Sequence, residues 1–87
     1  MTLDLHGQTC EQASMRMRST FESCLHHGVR ELLIIHGQGH HSNQQEGPVL
    51  KKLVRDMLDY EFNLRVREYR SAGLREGGDG ATLVLLR

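Results

Sequence analysis

Apolar positions along the chain change their spacing from segment to segment, and each change predicts a new element. In "TLDL" Leu3 and Leu5 alternate with Thr2 and Asp4. Period two is the mark of a strand, β1 (residues 2–5), ending at His6-Gly7. From there the spacing lengthens. Cys10, Ala13, Met17, Phe21 and Cys24 recur at helical intervals and give one apolar face. Thr9 with Gln12 three residues later is a capping-box signature, and Gly28 is a natural stop, so helix α1 is expected between them. Leu32 to Ile35 is an unbroken apolar run between charge and glycine, which suits a strand buried on both faces, β2. "GQGHHSNQQEG" is polar and glycine-rich and reads as a loop. Gly47-Pro48 then opens helix α2 with Pro48 at its first position, and Leu50, Leu53, Val54, Met57 and Leu58 form the stripe. In "NLRVREYR" Leu64 and Val66 fall on one side and Arg65, Arg67 and Tyr69 on the other, a strand β3. "SAGLREGGDG" is a second loop, and "ATLVLLR" a closing strand, β4. The order β-α-β-α-β-β has no linker in it and reads as one domain over residues 1–87.

Composition narrows the class. A chain of 87 residues that is 38% hydrophobic builds a thin two-layer core. No run is long and apolar enough for a membrane span, and "MTLDLHG" is not a signal peptide, so the expected location is the cytoplasm. Cys10 and Cys24 fall on one helix too far apart to bridge; two buried free thiols fit a reducing compartment. Formal net charge is zero, which argues against a polycation that coats nucleic acid by charge alone, although a local basic patch is compatible with it.

The tripeptide His-Gly-Gln occurs twice, at His6 and at His36, each time closing an apolar run. A β-α-β unit normally gives parallel strands with a right-handed crossover. Both histidines then lie at carboxyl ends of strands, on the sheet edge where open α/β folds bind ligands. The helices start near that edge too, and helix N-termini favour anions. The repeat therefore converges on a place suited to a phosphate. Asp4 and His6 share one side of β1, where a carboxylate can orient an imidazole. Two histidines beside a phosphodiester can act as general base and general acid.

At this point the residues resemble the Smr (small MutS-related) domain family. "LDLHG" at Leu3–Gly7, "IIHGQG" at Ile34–Gly39 and "GGDGATLVLL" at Gly77–Leu86 are similar to its three motifs, in order and over essentially the whole chain. Glu11, Ala13 and the Gly-Pro-x-Leu helix start at Gly47–Leu50 agree. The resemblance implies a two-layer α/β sandwich like the C-terminal domain of bacterial translation initiation factor three. Its mixed four-stranded sheet has the last strand antiparallel and two helices on one face. It implies nucleic-acid binding to DNA or RNA, with endonuclease activity in many members, as stand-alone proteins or as parts of larger repair or translation-quality-control proteins. The alternative within the family is a non-catalytic module that recognises nucleic-acid structure. By position, catalysis is carried by Asp4 and His6 of the first motif and His36 of the second, with Gly37 and Gly39 holding phosphate. Gln38 stands where Lys or Thr is more usual, which leaves His40, His41 and Arg55 to supply positive charge. No cofactor is required if RNA is the substrate, because the 2′-hydroxyl can attack; DNA brings in a divalent metal.

Other readings compete at several positions. His36, His40 and His41 are poor metal ligands as a set, because Gly37 and Gly39 keep the segment from being a helix and no cysteine or carboxylate stands nearby. His26 and His27 complement the dipole at the end of α1. Arg65, Arg67 and Tyr69 are expected to form an outward basic stripe, either solvated or contacting nucleic acid with Tyr69 stacked on a base. The Gly77–Gly80 loop reads as a connection that lets β4 reverse direction, in preference to a phosphate cradle. A sheet edge that docks a protein partner is the third function class.

Overall fold

The computed structural model describes residues 1–37, 46–73 and 78–87. The elements are β1 (Thr2–Asp4), α1 (Cys10–His27), β2 (Glu31–Ile35), α2 (Glu46–Asp56), β3 (Val66–Ser71) and β4 (Ala81–Leu86), in the expected order. They form one four-stranded sheet in the order β1-β2-β4-β3. β1 lies parallel to β2, and β4 runs antiparallel to both of its neighbours. The two helices pack on one face, giving the mixed α/β architecture that the motif order implies.

The core is the seam between those helices and that face. Ala13, Met17, Phe21 and Cys24 of α1 and Leu50 and Val54 of α2 meet Leu3, Leu5, Leu32, Ile34, Val84 and Leu86 of the sheet. Burying one such aliphatic or aromatic side chain stabilises the fold by about 1.5–3 kcal/mol. α1 begins as its sequence dictates. The Thr9 hydroxyl accepts from the Gln12 amide while the Gln12 side chain accepts from the Thr9 amide. Gly28 ends the helix in the left-handed region, φ 68°. Cys10, expected on the buried face, is the first residue of α1 and is exposed; Cys24 is buried, and neither thiol is in a disulfide.

Three details differ from the sequence reading. α2 starts at Glu46, so Pro48 sits within its first turn, where a missing N–H costs little because those amides have no intrahelical acceptor. Beyond Asp56 the helix widens into a π turn, Met57–Glu61, closed by the Phe62 amide donating to the Met57 carbonyl at 2.9 Å. The wide turn seats both Met57 and Leu58 in the core and lays the Phe62 ring on Phe21, centroids 4.0 Å apart. β2 is buried on one face only: Leu32 and Ile34 are enclosed, whereas Leu33 and Ile35 are half-buried on the helix-free side.

β3 departs most. It begins at Val66, and Leu64, expected beside Val66, is 82% exposed in the preceding turn. A bulge at Arg67 follows, since Val66 pairs with Leu86 and Glu68 with Leu85. One extra residue moves every later side chain to the other face. Tyr69 therefore pairs with Val84 on the helix side and packs against the core, and Glu68 and Arg70 point to the open side.

Candidate functional site

β1 and β2 end together. Past the Asp4–Ile35 pair, the Leu5 amide still donates to the Ile35 carbonyl at 2.7 Å. The next residues are His6-Gly7 on one strand and His36-Gly37 on the other. Gly7 has φ 78° and Gly37 φ 88°. Both are in the left-handed region that other residues enter only at a cost. A Cβ at either position would meet nothing within 4 Å, so backbone conformation alone demands the glycine. The repeated tripeptide is thus a repeated turn that ends a parallel strand.

The third glycine-rich segment joins the second. The Gly80 carbonyl accepts from the amides of both His36 and Gly37, each at 2.9 Å. Gly78–Gly80 forms a single 3-10 turn before β4. These residues tie the end of β2 to the start of β4, in line with the connecting role read from sequence. The tie corrects one expectation: the Gly37 amide is committed to Gly80 and has no free hydrogen for a phosphate. Gly39, His40 and His41 lie outside the described residues.

The side chains of the two motifs part company. Asp4 and His6 are exposed, and Asp4 pairs with Ile35 on the helix-free face. The Asp4 carboxylate accepts from the His6 backbone amide at 3.0 Å. Among the described residues no hydrogen bond joins that carboxylate to the His6 ring, so Asp4 shapes the turn instead of gripping the imidazole. His36 follows the inward phase of β2 and is 1% exposed. Its Nδ1 lies 3.0 Å from the Gly37 carbonyl and its Nε2 3.0 Å from the Thr82 hydroxyl. A carbonyl only accepts, so Nδ1 carries the proton and Nε2 accepts from Thr82. Burial holds the His36 imidazole below its ordinary value, and the nearby Lys51 and Arg55 charges add to this against the Gly37 bond, which opposes it. His6 and His36 are brought to one edge by their backbones, with His6 exposed and His36 buried.

Arg55 approaches the same buried corner from α2. Its Nε donates to the Thr82 hydroxyl at 3.4 Å and its Nη2 to the Ser71 hydroxyl at 3.2 Å. Its guanidinium sits 5.1 Å from the Tyr69 ring centroid. The Tyr69 hydroxyl donates to Asp59 Oδ1 at 2.7 Å, and that bond, followed by burial, raises its pKa. Tyr69 is thus occupied on its face and at its hydroxyl. Arg65 donates to the Phe21 carbonyl at 3.2 Å, and Arg67 is the exposed bulge residue. The continuous outward stripe of Arg65, Arg67 and Tyr69 does not form, because the bulge divides it.

Two contributors escaped the sequence reading. Thr82 carried a signal: it is the lone hydroxyl on the inward phase of β4, with Val84 and Leu86, and an inward hydroxyl needs a buried partner. Arg16 carried none, as one polar position among many on the outer side of α1. Its Nη1 donates to the Asp4 carbonyl at 2.9 Å. Among the described residues no three His, Cys, Asp or Glu side chains converge as metal ligands, and no helix is long and apolar enough to cross a membrane.

Comparison with known proteins covers the same length. A family model described as Smr domain matches residues 3–87. The endonuclease MutS2 of Clostridium botulinum is 34% identical over 85 residues, spanning 98% of this chain and 10% of that protein. The ribosome rescue factor SmrB of Vibrio cholerae is 33% identical over 84 residues, 97% of this chain and 40% of that one. The crystal structure of YdaL, a stand-alone small MutS-related protein from Escherichia coli, superposes with a TM-score of 0.89 at 32% identity, covering 99% of this chain and 63% of that one. The chain therefore spans a tenth to under two thirds of these relatives.

Proposed function

This chain belongs to the Smr domain family, and from that premise we propose that it binds nucleic acid and cleaves a phosphodiester bond at the His6 turn. One observation carries the reading: the first motif presents a solvent-exposed histidine in a turn, its amide held by the Asp4 carboxylate. A MutS2 relative is named an endonuclease and an SmrB relative a ribosome rescue factor, and both names support a nucleic-acid-related role.

On RNA the chemistry needs only groups at this edge. The His6 imidazole takes the proton of a 2′-hydroxyl, the 2′-oxygen attacks phosphorus, and the 5′-oxygen leaves with a proton from water. General-base assistance of this kind contributes about 10²–10⁴-fold. On DNA water must attack instead, and a divalent ion at the Asp4 carboxylate would activate it. His36 acts at a distance from the substrate, as a positioning residue that fixes the second turn through Thr82 and Gly37.

A second reading has its own support. With His36 buried, the described edge offers one accessible imidazole, and Asp4 is spent on the main chain. That economy suits a non-catalytic module within a larger repair or translation-quality-control protein. Labelled RNA hairpins and branched DNA, with and without EDTA, decide between them. Cleavage lost in His6→Ala with affinity retained supports the nuclease. Binding without cleavage by the native protein sinks it in favour of the module, and cleavage unchanged in His6→Ala places the chemistry elsewhere.

A further inference from the structure

Four cations among the described residues, Arg18, Lys52, Arg55 and Arg65, are held by partners away from the first motif. Arg18 forks onto Glu61 at 2.6 Å, and Lys52 bridges Asp56 at 2.9 Å. Arg55 is held by Thr82, Ser71 and the Tyr69 ring, and Arg65 by the Phe21 carbonyl. Arg16 differs in place. It pairs with no acid among the described residues; its partner is the backbone carbonyl of Asp4, 2.9 Å from Nη1.

That carbonyl faces outward. β1 is an edge strand that spends the Met1 carbonyl and the Leu5 amide on β2. The alternate peptide groups of such a strand point away from the sheet, and Arg16 reaches round from α1 to meet one of them. The same Asp4 residue holds the His6 amide on its carboxylate. Guanidinium and histidine turn therefore hang from one residue by two hydrogen bonds, at 2.9 and 3.0 Å. A guanidinium carries five coplanar N–H donors, of which this contact uses one. The exposed remainder is a fork of the kind that binds phosphate oxygens in pairs. The second motif carries Gln38 between its two glycines and brings no lysine or arginine of its own.

We propose that Arg16 is the phosphate-binding residue of this site, gripping the nucleic-acid backbone beside His6. The inference rests on the nucleic-acid reading above and goes beyond it by naming the residue that supplies a cation beside the first motif. A purely architectural Arg16, capping an edge carbonyl, would affect thermal stability and nothing else.

The test compares native protein, Arg16→Ala and Arg16→Lys on a labelled RNA hairpin across a salt series, with unfolding followed in parallel. Arg16→Ala is expected to bind about tenfold more weakly or worse, the cost of one charge-assisted contact. Its log–log salt slope should fall by about 0.7–0.9, the mark of one phosphate released. Arg16→Lys should restore the slope without restoring full affinity, because an ammonium is not a fork. If both variants match native affinity and slope while the melting temperature moves, Arg16 is architectural and only this proposal falls. If native protein binds neither RNA hairpins nor branched DNA, the nucleic-acid reading falls and takes this one with it. Should Arg16→Ala fail to fold, Arg16→Gln and Arg16→Lys decide by the same slope.

Discussion

Replacing Thr82 with valine isolates the link between the second motif and the core. The exchange keeps the shape of the side chain and removes one hydroxyl from a residue with 0% exposure. That hydroxyl donates to His36 Nε2 at 3.0 Å and accepts from Arg55 Nε at 3.4 Å. Arg55 is half-exposed and has Ser71 as well, so its share is small. His36 has no such recourse. Its Nδ1 proton is fixed by the Gly37 carbonyl, and Nε2 is left as a buried acceptor without a donor. An orphaned buried acceptor costs about 1–3 kcal/mol. The new methyl group returns about 0.8 kcal/mol of apolar burial. The net loss is about 0.2–2 kcal/mol, a fall in melting temperature of up to about 16 °C for a domain of this size. Urea and thermal unfolding at pH 8, where the imidazole is neutral in both states, measure it. The cycle with His36→Phe then checks the cause. In the phenylalanine background the valine exchange should cost nothing or stabilise, since neither ring nor side chain then carries an unpaired group. A Thr82→Val protein as stable as native at pH 8 would refute the assignment of the hydrogen bond, and so would an equal cost in both backgrounds.

The same ring sets a pH dependence. Its folded value lies below the ordinary 6.5, so the unfolded chain takes up the proton first as pH falls. Stability from this group is complete above about 6.5 and is lost as pH drops from there toward the folded value. His36→Gln, which keeps an acceptor for Thr82 and does not titrate, should flatten that decline in denaturant midpoints between pH 8 and 5; an unchanged profile would show that other groups drive it. Gly37→Ala should destabilise by about 1–2 kcal/mol from the left-handed backbone alone, as no atom obstructs the methyl. Gly37→Asn should lose less in the same unfolding assay, whereas equal losses would point to a clash in place of strain.

Spacing made the helices and the sheet edge legible before any coordinates. Thr9, Gln12 and Gly28 mark their own helix ends because capping depends on neighbours within a few residues. The parallel pairing of β1 and β2 followed from the helix between them. What stayed hidden depended on distant partners or on a single unpaired residue. The bulge at Arg67 leaves no trace in an alternating pattern, yet it reverses Tyr69 from a surface ring to a core one. The inward phase of His36 was implicit in the run Leu32 to Ile35. Reading that run as buried on both faces concealed it, because only an open side makes the phase visible. Arg16 meets Asp4 across the edge of the sheet, and no spacing along the chain announces such a contact.

β4 comes last of the four described strands in chain order and occupies an interior position, between β2 and β3. β3 has no strand neighbour until Ala81–Leu86 is in place, and Tyr69, Val66 and Glu68 have nothing to register against. During synthesis, α1 and β2 leave the ribosome able to form only the β1–β2 pair. The Gly80 carbonyl that fixes the His36 turn arrives with that same closing segment. The nascent chain therefore carries both histidine motifs before the segment that ties the second of them, and the four-stranded sheet closes only when β4 enters between β2 and β3. A destabilised β4 would expose two unpaired strand edges at once, so its variants should report as aggregation during expression more than as loss of activity in the purified protein.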